Sequence, residues 1–122
     1  MPIVDIRFVA SAGACGRIPS AQGLADVLGE IFRSEPGRTW VRLHSHDASL
    51  YAESGVRVGD DELPVFVCIL LADLPAIELR VEQARTICAV MASCFARPPE
   101  RVHCEYAPAG TARIAFGGVL MA

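Results

Sequence analysis

The chain has 122 residues, 52% of them hydrophobic, and a formal net charge of −3, so a single domain spanning residues 1–122 with a substantial core is expected. An acidic balance with scattered arginines argues against nucleic acid or an anionic membrane as partner. No apolar run reaches the ~20 residues that cross a bilayer, and no secretory leader is expected.

The opening is Met1-Pro2-Ile3-Val4. Removal of the methionine would turn Pro2 into an N-terminal secondary amine. An α-amino group titrates at roughly 7.7–8.0, and burial or a nearby cation lowers it further. Pro2 is therefore a candidate base at neutral pH. Val4, Ile6 and Phe8 alternate with Asp5 and Arg7, the pattern of a strand with one apolar and one mixed face. The spacing of Leu24, Val27, Leu28, Ile31 and Phe32 predicts a helix from Ser20 to Arg33, with Ser20 as its cap and Glu35-Pro36-Gly37 as its stop. A strand over Val41-Arg42-Leu43-His44 and a glycine-ended hairpin over 50–56 complete the first half.

The same order then restarts. Leu63-Pro64-Val65-Phe66 opens a strand that is apolar through Ala72, as expected of a strand buried on both faces. A helix follows from Ile77 to Ala96, with Val81, Ala84, Cys88, Met91 and Phe95 on one face, ended by Arg97-Pro98-Pro99. Val102-His103-Cys104-Glu105 is the fourth strand, and Gly117-Gly118 turns the final hairpin, where backbone freedom is needed. Two pseudo-repeats, 1–62 and 63–122, account for this order. Their helices can cover only one face of a four-stranded sheet, so the other face is expected to meet another subunit.

Five cysteines (15, 68, 88, 94 and 104) form no CxxC pair. They read as structural thiols in a reducing cytoplasm. His44-x-His46 with Asp47 lacks the further ligands a metal needs, so no metal centre is expected.

A proline behind the initiator, two β-α-β units, and the closing run from Arg101-Val102-His103-Cys104-Glu105-Tyr106 to Phe116-Gly117-Gly118 together resemble the tautomerase superfamily. The likeness covers the whole chain. It is to the fused, two-unit members, such as the macrophage migration inhibitory factor and 5-carboxymethyl-2-hydroxymuconate isomerase groups, with the one-unit 4-oxalocrotonate tautomerases as shorter relatives. The resemblance implies an α+β fold: two tandem β-α-β units form a four-stranded sheet with two helices on one face. It further implies a homotrimer around a central barrel, with active sites at subunit boundaries.

It also implies the site. Pro2 matches the catalytic proline, whereas Pro64, an amide, matches only its second-half relic. His103 and Glu105 fall where the factor-like members carry tyrosine and asparagine that enter the neighbouring subunit's pocket. Ile114 and Phe116 match apolar wall positions. Pro36 stands at the position of the factor-like lysine, with Arg38 two residues on. Arg42 matches the arginine that opens the second strand in short members. Ala12 and Leu74 stand near their loop arginine, for which Arg17 or Arg80 are substitutes.

The implied reaction is a keto–enol 1,3-proton shift in a small 2-hydroxydienoate or enolpyruvate-type acid, as in aromatic-compound catabolism. Pro2 is the base, His103 the donor to the enolate and Arg38 or Arg42 the carboxylate ligand, with no cofactor. A carboxylate beside Pro2 would raise the amine's pKa. That keeps open a proline-dependent hydratase, dehalogenase or decarboxylase, with Glu105 activating water. A binding trimer with vestigial catalysis is the third reading.

Overall fold

A computed structural model describes residues 2–12 and 18–122. Met1, Cys15 and Arg17, which carry expectations from the sequence, lie outside them. The elements in chain order are β1 (Ile3–Ala10), α1 (Ala21–Phe32), β2 (Trp40–Asp47), β3 (Val65–Leu70), α2 (Ile77–Phe95), β4 (Val102–Tyr106), β5 (Ala115–Phe116) and β6 (Val119–Leu120). Four strands form one sheet in the order β2-β1-β3-β4. The pairs β1–β2 and β3–β4 are parallel, and β1–β3 at the centre is antiparallel. These are two β-α-β units joined back to back.

Local chemistry explains the boundaries of the helices. The Ser20 side chain accepts a hydrogen bond from the Gly23 amide at 3.0 Å, capping α1 as its sequence predicts. α1 stops at Arg33 and α2 at Ala96, both in the left-handed conformation with φ of 54° and 53°. Leu24 and Leu28 of α1 and Ile87, Met91 and Phe95 of α2 are buried against Val4, Ile6, Phe8, Val65, Val67 and Ile69. Burying each such side chain contributes ~1.5–3 kcal/mol. Phe8 and Phe95 meet at the centre with ring centroids 5.4 Å apart.

Two expectations change. The buried stripe of α2 contains Ile87 rather than Val81, which is 49% exposed, as the first turns of α2 stand off the sheet with Ile77 58% exposed. β3 is not covered on both faces: Val65, Val67 and Ile69 are buried, whereas Phe66 is 40% exposed. Both helices lie against one face, so the other face of the sheet is open. By strand alternation it carries Asp5, Arg42, Phe66, Cys68, His103 and Glu105.

The final hairpin pairs β5 with β6 through Gly117 and Gly118, at φ of 56° and 86°. Its first-half counterpart shrinks to a single bridge between Glu53 and Val56.

Candidate active site

The antiparallel junction of the two units decides what surrounds Pro2. The start of β1, the end of α1, the start of β2, the end of β3 and the first half of α2 all meet at one end of the sheet. The Trp40 amide donates to the Pro2 carbonyl at 3.0 Å, anchoring the strand end. Pro2 itself is buried. It forms part of the wall of a cavity of about 460 Å³.

Three segments complete that cavity. Phe32, Arg33 and Ser34 come from the end of α1, residues 71–75 from the loop after β3, and Gln83 from α2. Leu71, Leu74, Pro75 and Phe32 make much of the lining apolar. Arg33 supplies a cation and Asp73 a carboxylate. The Thr111 hydroxyl lies 3.2 Å from Asp73 Oδ1 and 3.0 Å from the Ala72 carbonyl, tying the loop to the chain beyond β4. Arg80 grips the same loop, with Nε and a terminal nitrogen 3.3 and 3.2 Å from the Pro75 carbonyl. Ser34 is tied to Thr39, with hydroxyls 2.5 Å apart.

Gln83 has a partner outside the cavity. Tyr106, the last residue of β4, donates its phenol to Gln83 Oε1 at 2.5 Å. Burial, with a smaller contribution from Cys104, pushes that phenol up to about 12.

A scan of family models finds no match to this sequence, and a comparison with curated proteins finds no significant one. Solved structures do match. The macrophage migration inhibitory factor from Oncomelania hupensis is 16% identical with a TM-score of 0.76, over 100% of this chain and 83% of that one. N1, a member of the cis-3-chloroacrylic acid dehalogenase family, is 16% identical with a TM-score of 0.73, over 97% of this chain and 83% of that one. A fused 4-OT solved as a symmetric trimer is 11% identical with a TM-score of 0.74, over 98% of this chain and 94% of that one. The fold is that of the tautomerase superfamily.

Within this tautomerase fold the expected site residues are dispersed. His103 pairs with Phe66, and Phe66 with Arg7, five residues along β1 from Pro2. Glu105 pairs with Cys68 and, beyond it, Asp5. At ~3.4 Å per residue they lie ~17 and ~10 Å along the sheet from their own Pro2, and two strands across. Neither belongs to the Pro2 cavity of its own chain.

His103 stacks against Phe66 with centroids 5.4 Å apart, and Phe66 meets Tyr51 at 6.0 Å. Nearby, hydrogen bonds from Arg101 and Tyr51 hold the Glu53 carboxyl below its usual range. This cluster marks the Pro64 end of the sheet.

Arg42 lies on the open face, bound to Asp5 through Nε at 2.6 Å and a terminal nitrogen at 2.8 Å. That fork holds the Asp5 carboxyl low. Arg38 is exposed in the turn before β2, where its amide donates to the Glu35 carbonyl at 3.0 Å, and it is not part of the cavity wall. Phe116 makes an edge-on contact with Trp40 at 5.4 Å and so reaches the Pro2 end of the sheet. Ile114 sits at the base of the final hairpin, its carbonyl accepting from the Met121 amide at 2.8 Å.

Arg33 and Gln83 line the Pro2 cavity and were not singled out by sequence reasoning. Arg33 could have been found from topology, because the residue that ends the first helix must lie at the end of the sheet where β1 begins. For Gln83 there was no signal, since an isolated polar residue on a helix names no neighbour.

Proposed function

We propose that this protein is a cofactor-independent tautomerase whose base is the amino-terminal nitrogen of Pro2, freed by removal of Met1. The observation that carries this reading is the buried Pro2 in the wall of a cavity lined by Phe32, Leu71, Leu74 and Pro75 together with one arginine, Arg33, and one carboxylate, Asp73. Apolar walls and a nearby guanidinium disfavour the protonated amine, and the Asp73 carboxylate favours it; for Pro2 to be the base the first two prevail, lowering the pKa toward the range of a working base. Arg33 would hold the substrate carboxylate, and the apolar lining would take an uncharged tail. Pro2 would then remove the enol proton and return a proton to carbon, a 1,3-shift in a 2-hydroxydienoate or enolpyruvate-type acid.

His103 and Glu105 enter this reading only from a second copy of the chain, at a boundary of a homotrimer. The open face of the sheet and the symmetric trimer of the fused 4-OT support that assembly. Arg42, engaged by Asp5, is the weaker carboxylate ligand, and Arg38 stands outside the cavity wall.

The test is ketonisation of phenylenolpyruvate followed by ultraviolet absorbance. Mass-verified, Met-free protein is compared with its Pro2→Ala variant. A loss of rate of at least ~100-fold is expected, the usual contribution of a positioned general base. Equal rates, or none above buffer in either, would sink the reading.

A second reading, addition of water to an unsaturated acid or decarboxylation, is favoured by Asp73 in the cavity wall and by the likeness to the dehalogenase-family member. There Pro2 would act as a cation and Asp73 or Glu105 would activate water. Product mass separates the two, because isomerisation leaves it unchanged.

A further inference from the structure

We propose that Gln83 is a hydrogen-bond donor to the 2-oxygen of the acid bound at Pro2, and that Tyr106 is the positioning residue that orients it. This inference rests on the reading of the Pro2 cavity above. Gln83 lines the cavity, and its amide oxygen accepts from Tyr106 Oη at 2.5 Å. The half-buried phenol stays protonated across the physiological range, so Tyr106 acts there as a donor. A phenol proton held partly away from water favours a protein acceptor. Among the described residues Gln83 Oε1 is its recorded acceptor.

Turning the amide over would strand that proton and set N–H against O–H. The oxygen therefore stays on the Tyr106 side and Nε2 on the other. Among the described residues Nε2 has no recorded partner.

The rest of the wall leaves this donor a distinct task. Ser34 is tied to Thr39, and Asp73 can only accept when ionised. Arg33 is the cation, suited to a carboxylate. Gln83 Nε2 is a neutral side-chain donor in this wall, suited to an enol or keto oxygen. One cation and one carboxylate in the wall also favour a monoacid with an apolar remainder, because Asp73 would repel a second carboxylate.

The experiment titrates two ligands into Met-free protein by calorimetry: phenylpyruvate, and 3-phenylpropanoate, which keeps the carboxylate and ring but lacks the 2-oxygen. The variants are Gln83→Met, Tyr106→Phe and the double variant, with thermal unfolding as a check on folding.

Gln83→Met should weaken phenylpyruvate binding ~10-fold and leave phenylpropanoate unchanged. Tyr106→Phe should weaken phenylpyruvate less. The double variant should be no weaker than Gln83→Met alone, the non-additivity of a residue acting through another. Equal loss for both ligands, no loss for either, or no binding by the wild type would overturn the inference. If a variant fails to fold, the wild-type preference between the two ligands decides, and equal affinities overturn it. Wild-type discrimination without turnover would sink the proline-base reading alone. Turnover that Gln83→Met leaves untouched, with unchanged binding, would sink this inference alone.

Discussion

Arg33 has a φ of 54°, a region where an L side chain costs ~1 kcal/mol or more and where glycine is at home. A helix stop needs only the glycine. The arginine adds a cation to the wall of the Pro2 cavity, and a backbone outlier kept at such a place is a reason to look for function. Arg33→Gly should therefore hold or raise the unfolding midpoint while weakening phenylpyruvate binding ~10-fold or more, the loss of a charged hydrogen-bond donor. Unfolding curves and calorimetric titration read the two effects separately. A lower midpoint with unchanged binding would make Arg33 a structural residue.

The elements are joined by ties of different strength. β1 and β3 meet on the helix-covered face through the buried pairs Val4–Ile69, Ile6–Val67 and Phe8–Val65, whereas β1 and β2 also share the ion pair Asp5–Arg42 on the open face. The Arg42 hydrogen bond lowers the Asp5 pKa from its ordinary 3.8. A lowered carboxylate contributes stability that is complete above the ordinary value and is lost as pH falls through the folded one. Asp5→Asn should thus destabilise slightly at pH 7, since Arg42 is 63% exposed and screened by solvent. The difference from wild type should shrink as pH falls below 3.8 and vanish only below the lowered folded-state value. Denaturant titrations at pH 7 and at pH 3 check the sign, and a gap that widens in acid would exclude this account. The elements themselves were largely legible in the sequence. Ser20, the stripe from Leu24 to Phe32 and the Arg97-Pro98-Pro99 stop each act within one or two helical turns. The stripe of α2 was misjudged because periodicity alone does not say how far a helix overhangs its sheet.

At the scale of the whole molecule, one sheet face lacks a covering layer. There Phe66 lies between Arg7 and His103, and Cys68 between Asp5 and Glu105, on neighbouring strands. Burial combined with the coulombic effect of Glu105 raises the Cys68 thiol pKa. The proposed trimer would cover this face and bring His103 and Glu105 of one copy toward Pro2 of another. Sedimentation equilibrium should give three times the 13.1 kDa chain mass, and Phe66→Arg should shift it to a single chain by burying an unpaired charge. A monomeric wild type would remove both the assembly and the route by which these two residues join the site.

Composition and pattern by themselves determined the two β-α-β units, the Ser20 cap of α1, the alternation of β1 and the glycine turn of the last hairpin. All of these depend on neighbours close along the chain or on repetition of one unit. The singular position of Pro2 was legible for the same reason. The company it keeps was decided only by tertiary structure. The antiparallel pairing of β1 with β3 carries the end of α1, the loop after β3 and Gln83 to the Pro2 end. The same register carries His103 and Glu105 away from it along the sheet. Contacts between residues far apart in the chain depend on strand direction and register, and neither is written in the local pattern of side chains.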